Sequence, residues 1–326
     1  MTQFIKRAYN RFVVNSEFGT LTKISSNSKL YDESLYYKEI HQQKHLSKFF
    51  PRIFNSYSDD NGENHLEIEY INYENLADKM LFEDFEKESW VKVANQIKTV
   101  LKNFQKSKVN NSSYDNACEK MYINKTIAEY EKLKNSSDFF KKFSEIEEIE
   151  LNGNVYKNFE SIKNDILDLI QHKLCTKKEM NVVHGDFCLS NIICSISNKR
   201  NITSLRLIDP RGSWGEKGIY GDFRYDIAKL YHSFYGCYEY LINDLFTISE
   251  KKNKFNLCYS NNNHEKVAEI FSNNCTNFFD VDPIEYELIQ GTIFIGMCAR
   301  HYDSEERQKA MFLTGIKILN NVLQKA

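Results

Sequence analysis

Residues 180–212 read MNVVHGDFCLSNIICSISNKRNITSLRLIDPRG, and this stretch contains the most specific pattern in the 326-residue chain. The apolar pairs at 182–183 and 192–193 are typical of buried strands, and they enclose a polar loop. A third, mainly apolar run at 205–208 ends at an aspartate that precedes a Pro-Arg-Gly turn. The pattern predicts short strands that present polar side chains from the loops at their ends.

The polar residues at these strand ends are Asp186, then Asn191 five positions later, and then Asp209. Carboxylate and amide oxygens are hard donors of the kind that hold Mg²⁺, so Asn191 and Asp209 are predicted metal ligands. Asp186 is predicted to orient an attacking hydroxyl and to accept its proton. His184, at the strand end, is predicted to hold the loop by a backbone hydrogen bond. The alternative interpretation of the three polar residues is that they only cap turns.

HGDFCLSNII, LIDPRG and the downstream YDIA at residues 225–228 together resemble the signature of aminoglycoside phosphotransferases and choline kinases. That family shows H-G-D-x-x-x-x-N, then a strand ending in I-D, then D-x-A. The resemblance implies an α+β, bilobal protein-kinase-like fold with a small β-rich N-lobe and a larger, mainly helical C-lobe. It also implies ATP and Mg²⁺ as cofactors, a catalytic base at Asp186, metal ligands at Asn191 and Asp209, and a structural carboxylate at Asp226 that braces the catalytic loop.

The same resemblance assigns phosphate-binding residues near the start of the chain. Lys23, on the second strand of a predicted hairpin, corresponds to the lysine that contacts the ATP phosphates. Glu39, on the helix that follows, corresponds to its ion-pair partner. Glu33 lies near the start of the same helix and competes for that role. The register of the helix decides between the two glutamates.

The resemblance further implies where the nucleotide is covered and where adenine binds. Glu69 and Ile71 belong to the hinge, whose backbone meets the adenine. Asn10 belongs to the turn at residues 8–10 that covers the phosphates. This turn contains no glycine, and the first strand, at residues 2–6, is very short. Both features depart from the kinase pattern and keep a second class of function open, a nucleotide-binding pseudokinase.

Residue patterns along the chain predict two lobes. Residues 11–25 alternate apolar and polar around a turn, and DDNG at 59–62 marks a second hairpin. Apolar residues then recur mainly at helical spacing, and the charged stretch at 141–154 is interpreted as a solvated face or loop. We predict a β-rich nucleotide-binding lobe at residues 1–72. Residues 73–326 are predicted to form the helical lobe with the catalytic loop and the acceptor site.

Several residues are candidates for binding the acceptor. Arg211 and Trp214 follow the predicted metal loop, a position that faces the acceptor in this fold. Arg211 either binds a carboxylate or phosphate on the acceptor or forms a surface ion pair. Arg300 and His301 interrupt two helical patterns and are candidates for the lining of the acceptor pocket. The aromatic residues at 231–240 are interpreted as helical core, with a cage for a quaternary ammonium as the alternative.

The predicted activity is therefore an ATP- and Mg²⁺-dependent small-molecule kinase that transfers the γ-phosphate to a hydroxyl. IDPRGSWG and YGDFRYDIAKLYHS also resemble phosphotransferases associated with bacterial cell-surface polysaccharide synthesis. That resemblance favours a sugar or polyol precursor as the acceptor. Choline or ethanolamine is the first alternative acceptor, and an aminoglycoside is the second. The sequence leaves the choice between ATP and GTP open.

Composition excludes other classes of partner. Lys+Arg numbers 43 and Asp+Glu 45, so the basic excess of a nucleic-acid binder is missing. No apolar run approaches the roughly 20 residues that cross a bilayer, and the N-terminus shows no secretory signal. We therefore expect no membrane partner and a cytoplasmic location. The eight cysteines contain no C-x-x-C pair, so we expect reduced, buried thiols and no disulfide. The oligomeric state is left open.

Overall fold

The computed structural model describes residues 10–83, 85–110, 112–177, 179–196 and 202–326. Contacts between Cα atoms divide the chain into two units, which are described separately below. The first unit comprises Met1–Val109, Met180–Asp226 and Ile270–Phe278, and the second comprises Asn110–Glu179, Ile227–Glu269 and Phe279–Ala326. The predicted α+β class is confirmed, and the predicted lobe boundary at residue 72 stays a prediction.

The secondary structure of these ranges follows in chain order. The strands are β1 (Asn10–Asn15), β2 (Thr20–Ser25), β3 (Ile53–Ser58), β4 (Asn64–Glu69), β5 (Glu74–Asn75), β6 (Lys108–Asn110), β7 (Glu148–Leu151), β8 (Asn154–Lys157), β9 (Glu179–Val182), β10 (Ile192–Ile196), β11 (Ile202–Leu207), β12 (Ser213–Trp214), β13 (Glu216–Lys217), β14 (Tyr220–Gly221), β15 (Phe246–Lys251) and β16 (Lys254–Tyr259). The helices are α1 (Lys29–Ile40), α2 (Leu76–Phe82), α3 (Lys87–Lys106), α4 (Tyr114–Cys118), α5 (Lys125–Lys134), α6 (Asp138–Ser144), α7 (Phe159–Lys173), α8 (Phe223–Phe234), α9 (Tyr238–Ile242), α10 (Asn263–Asn274), α11 (Pro283–Ile295) and α12 (Glu305–Lys325).

The first unit begins with a four-stranded antiparallel sheet in the order β1-β2-β4-β3, and α1 packs on it. Side chains alternate between the two faces of a strand, and Leu21, Lys23 and Ser25 of β2 share the buried face. The β3–β4 turn is the one predicted from DDNG, and the Asp59 carboxylate accepts hydrogen bonds from two of its amides. The alternation therefore turns Lys23 inward.

The strands expected around the polar loop are present in the same unit. β10 pairs antiparallel with β11, with Ile192 opposite Leu207. The amide of Ile208 then donates to the carbonyl of Asn191 at 3.0 Å, so the pairing continues past the strand ends. This pairing brings the end of the polar loop beside the residue that follows β11. The core beside it includes the apolar face of α3, as its helical spacing predicts.

The second unit contains a sheet that the sequence patterns did not predict. Its four strands have the order β15-β16-β7-β8, and β16 runs parallel to β7. The interpretation of residues 141–154 as a solvated face or loop is wrong, because they include the end of α6 and all of β7. Ile149 and Leu151 are buried while the charged neighbours Glu148 and Glu150 are not. The glutamates that alternate with Ile149 and Leu151 make the segment resemble a charged loop in the sequence.

Helices form the rest of the second unit. A π-helical turn at Glu119–Asn124 joins α4 to α5, and α11 packs along α12. The apolar residues of α12 face inward over its 21 residues. Across the described ranges, every helix is either too short or too polar to traverse a lipid bilayer.

The expectation that all cysteines are reduced is wrong for one pair in this unit. Cys118, at the end of α4, and Cys175, just beyond α7, form a disulfide with their Cα atoms 5.7 Å apart. The two residues are 57 positions apart, so only the packing of the helices brings them together. Of the other cysteines, Cys258 is exposed and the rest are buried.

Candidate active site

The polar loop after β9 is held in place by Asp226, in the first turn of α8. One carboxylate oxygen of Asp226 accepts from the His184 amide at 2.6 Å, and the other accepts from the Gly185 amide at 2.9 Å. Gly185 has φ +77°, a conformation that suits glycine. Both oxygens of a fully buried carboxylate are thus used to set the course of the backbone just before Asp186.

His184 ties the same loop to the end of β11. Its Nε2 donates to the carbonyl of Ile208 at 3.0 Å, and its Nδ1 accepts from the Asp186 amide at 3.3 Å. The ring is fully buried, stacks on Phe50 and meets Phe187 edge-on. Burial lowers the pKa of His184 to about 4 despite the nearby carboxylates. A neutral ring with these partners holds the loop, as the sequence suggested.

The two predicted metal ligands come together next to Asp186. The side-chain nitrogen of Asn191 donates to the carbonyl of Asp186 at 2.8 Å, which leaves its amide oxygen as the donor for a metal. Asp209 has φ +56°, an unusual conformation for a residue with a side chain, and its carboxylate is about half exposed. The Ile208 amide donates to the Asn191 carbonyl, so the two segments are adjacent, and a carboxylate and an amide oxygen are ligands that fit Mg²⁺.

Lys23 lies between two carboxylates of the first unit. Its Nζ is 2.6 Å from Oε1 of Glu33 and forms a second ion pair with Asp209. Burial lowers the pKa of Lys23, but the charges of Asp209 and Glu33 outweigh that effect and hold the pKa above its ordinary value. The amine is therefore a fixed positive charge beside the candidate metal site.

The partner of Lys23 is Glu33 and not Glu39, which corrects the preferred sequence assignment. Six residues turn an α-helix by about 240°, so the two glutamates project from different faces of α1. Glu39 accepts a hydrogen bond from the Ile219 amide instead. It also lies near Gly218, where an added Cβ would be 3.6 Å from its Oε2.

The segment after Asp209 contacts the backbone of α1 directly. A Cβ added at Gly212 would lie 2.1 Å from the carbonyl oxygen of Asp32, the residue before Glu33. Gly212 also has φ +67°. This close approach fixes the segment after Asp209 against the first turn of α1, next to Glu33, whose side chain is paired with Lys23.

The hinge predicted from sequence continues from β4. The Tyr70 amide donates to the carbonyl of Gly19, and the Glu69 side chain accepts from the Arg52 amide at 3.2 Å. Among the described residues, no hydrogen bond uses the Ile71 amide, which leaves it available to a purine base. Asn10 is the first residue of β1, opposite Ser25, and residues 8–9 of the predicted phosphate turn lie outside the described ranges.

The candidate acceptor residues are placed differently from one another. Arg211 is half-buried, and it donates to the hydroxyl of Tyr225 at 3.0 Å. Trp214 is fully buried against Gly221 and Val183, so it belongs to the core and not to an acceptor surface. Its position in a short β12 strand, with alternating burial, explains this placement. Tyr225, the first residue of the YDIA motif, was not predicted as a site residue.

The other two acceptor candidates belong to the second unit. Arg300 is 3.6 Å from Oε1 of Glu129, and its side chain is partly exposed. His301 follows it and is also partly exposed. Both lie in the turn between α11 and α12, as the break in the helical pattern predicted.

Solved structures of similar fold were found over nearly the whole chain. Aminoglycoside phosphotransferase APH(4)-Ia aligns with a TM-score of 0.55 at 9% identity, over 100% of this chain and 93% of that one. The chain has the protein-kinase-like fold of the aminoglycoside phosphotransferases. This confirms the predicted bilobal kinase-like class. No protein-family model matches the sequence, and no curated protein sequence matches it.

Two ligand complexes with the same phosphotransferase fold are also similar to this chain. A ternary complex of a thermostable APH(4)-Ia mutant with AMP-PNP and hygromycin B aligns with a TM-score of 0.54 at 12% identity, over 96% of this chain and 93% of that one. The GDP and kanamycin complex of APH(2")-IIia aligns with a TM-score of 0.51 at 13% identity, over 99% of this chain and 92% of that one. At these identities the likeness concerns the fold.

Proposed function

We propose that this protein is an ATP- and Mg²⁺-dependent small-molecule kinase that phosphorylates a hydroxyl group. One observation carries the proposal: Lys23 is paired with Glu33 and Asp209, and the residue before Asp209 is hydrogen-bonded to Asn191, at the end of the loop that presents Asp186. Phosphoryl transfer needs a base for the hydroxyl, oxygen ligands for magnesium and a cation for the phosphates. Turn capping alone would not require the buried lysine between two acids.

The proposed reaction assigns one task to each of these side chains. Asp186 orients the acceptor hydroxyl and accepts its proton as the oxygen bonds to the γ-phosphorus. The bond from the γ-phosphorus to the bridging oxygen breaks, and its electron pair leaves with ADP. Lys23 neutralises charge on the phosphates, and Glu33 keeps its amine in place. Magnesium held by Asn191 and Asp209 would supply further positive charge to the phosphates.

The nucleotide assignment is supported by the complexes of similar fold. One of those complexes contains AMP-PNP and hygromycin B, and the other contains GDP and kanamycin. The available Ile71 amide at the hinge suits a purine of either kind. We propose ATP as the donor and keep GTP as the alternative.

For the acceptor we propose a sugar or polyol precursor, with choline or ethanolamine and then an aminoglycoside as alternatives. The aromatic cluster considered as a quaternary ammonium cage is filled by its own side chains. The ring of Tyr231 lies 4.2 Å from that of Tyr286 and stacks on Tyr235, and the Lys229 amine lies over Tyr238. This packing disfavours a choline cage there. The cytoplasm remains the location that we propose.

The test is acceptor-dependent ADP release with Mg²⁺-ATP against sugars, polyols, amino alcohols and aminoglycosides. Asp186→Asn should lower the rate by about a thousandfold. Asp60→Asn, the same change on the exposed β3–β4 turn, should leave it unaltered. Near-normal turnover by Asp186→Asn would reject the assignment of the base. Mg²⁺-ATP binding without ADP release for any acceptor would instead favour the nucleotide-binding pseudokinase.

A further inference from the structure

Arg211 is anchored against the loop that carries Asp186. Its amide donates to the carbonyl of His184 at 2.9 Å. Its aliphatic stem covers Gly185, because a Cβ added to that glycine would lie 2.8 Å from Cβ of Arg211 and 3.4 Å from its Cδ. The stem of a long side chain is therefore fixed one residue away from the candidate base.

The charge of Arg211 has no acidic partner in the part of the chain that the structure describes. Its guanidinium donates to the neutral hydroxyl of Tyr225 at 3.0 Å, and no ion pair includes it. By contrast, buried Arg224 is 2.6 Å from the Asp222 carboxylate, and Arg307 pairs with two aspartates. Arg206, on β11, shares this lack of an acidic partner, and its guanidinium donates to the backbone carbonyl of Phe50 at 3.0 Å.

A half-buried guanidinium without a carboxylate retains most of its five donors for a ligand. The planar fork matches the oxygens of a carboxylate or a phosphate, and the energy of that contact is greatest where water is partly excluded. The hydrogen bond to the Tyr225 hydroxyl restricts the position of the Arg211 guanidinium, and because that hydroxyl is neutral it does not compensate the positive charge. The arrangement is that of a binding group and not of a structural ion pair.

We propose that Arg211 binds an anionic group of the acceptor, so that the substrate is a polyol or sugar that carries a carboxylate or a phosphate. The inference rests on the proposed function and narrows its substrate class. The hydroxyl reaches Asp186 while the anion contacts Arg211. A cationic acceptor would place like charges together and is disfavoured.

The experiment compares acceptors that share a skeleton and differ in charge. D-galactose, D-galacturonate and D-galactosamine provide a neutral, an anionic and a cationic ring, and ribitol and ribitol 5-phosphate distinguish phosphate from carboxylate. Values of kcat/KM are measured for the wild type, Arg211→Gln and Arg211→Lys. Arg206→Gln is the matched control, since Arg206 is a second arginine that lacks an acidic partner among the described residues.

The wild type should favour an anionic acceptor over its neutral counterpart by about 10- to 100-fold, the range expected for a hydrogen-bonded charge. Arg211→Gln should lower kcat/KM for the anionic acceptor by about 10- to 100-fold more than for its neutral counterpart, and Arg211→Lys should restore part of the preference. Arg206→Gln should keep the preference. Equal losses for all acceptors in Arg211→Gln would overturn the inference, because they would indicate a role towards the nucleotide or the loop.

A binding measurement separates this inference from the proposed function. Titrations of sulfate and of D-galacturonate into the protein saturated with Mg²⁺-AMP-PNP do not require turnover. If the wild type binds these anions and Arg211→Gln does not, the anion site is supported even if no acceptor leads to ADP release. In that case only the proposed kinase activity would be rejected. The inference would be overturned if the wild type bound neither anion and also turned over anionic and neutral acceptors at equal kcat/KM.

Discussion

Replacing Glu33 by glutamine tests which carboxylate positions the candidate phosphate-binding lysine. The change keeps the size of the side chain and replaces the carboxyl group whose Oε1 lies 2.6 Å from Nζ of Lys23. Asp209 would then be the remaining acid on the amine, and its carboxylate would be drawn towards Lys23. We expect weaker binding of Mg²⁺-ATP and a lower kcat/KM. Glu39→Gln is the matched control on the same helix.

The size of the effect follows from the burial of this contact. A hydrogen bond to a charged group contributes about 1.5–3 kcal/mol, and both side chains here are largely buried. That range corresponds to about a 10- to 150-fold loss in kcat/KM. Lys23 retains Asp209, so the loss should stay below the 3–5 kcal/mol typical of breaking an isolated buried pair. Glu39 contacts the Ile219 amide and not Lys23, and its replacement should change kcat/KM by less than about threefold.

The assay is ADP release over a range of Mg²⁺-ATP concentrations, with urea unfolding of each variant measured in parallel. Urea unfolding distinguishes a weakened site from a weakened fold. If kcat/KM fell at least as much in Glu39→Gln as in Glu33→Gln, the assignment of Glu33 as the residue that positions Lys23 would be refuted. It would also be refuted by a loss in Glu33→Gln that is fully accounted for by unfolded protein.

Two further predictions concern stability. Burial holds the pKa of His184 at about 4, below its value of about 6.5 in an unfolded chain. The resulting stabilisation is complete above pH 6.5 and is lost as the pH falls towards 4, about 3 kcal/mol in total. The free energy of unfolding, measured in urea at several pH values, should therefore depend less on pH in His184→Gln than in the wild type. The same dependence on pH in both proteins would contradict the reasoning. Gly212→Ala places a Cβ against the Asp32 carbonyl, whereas Gly62→Ala, also at positive φ, meets no atom within 4 Å. The free energy of unfolding should therefore fall by at least about 2 kcal/mol more for Gly212→Ala, and equal losses would show that the loop yields without cost.

Much of the candidate site is predictable from sequence because its residues lie at short, regular separations. The loop from His184 to Asn191 is bounded by apolar runs, and such a stretch forms strand, loop and strand with its polar groups at the strand ends. Asp209 follows the next strand, and antiparallel pairing of neighbouring strands brings it to the same end. Two-residue alternation in β2 likewise turns Lys23 towards the interior.

Tertiary packing decided what spacing alone left open. The choice of Glu33 over Glu39 depends on the rotation of α1 about its axis, which is set by the sheet beneath it and by Gly212 against Asp32. Burial of Trp214 depends on its neighbours Val183 and Gly221.

Two features that the sequence did not predict connect segments that are far apart in the chain. The Cys118–Cys175 disulfide and the pairing of β7 with β16 both require helices and strands to meet over long separations. Local propensity carries no information about such meetings, because the energy that favours them comes from apolar surface buried between elements. The candidate chemistry and its loop are therefore predictable from the spacing of residues along the chain. Which acids and cysteines pair with one another depends on distance in space, and only the folded chain sets those distances.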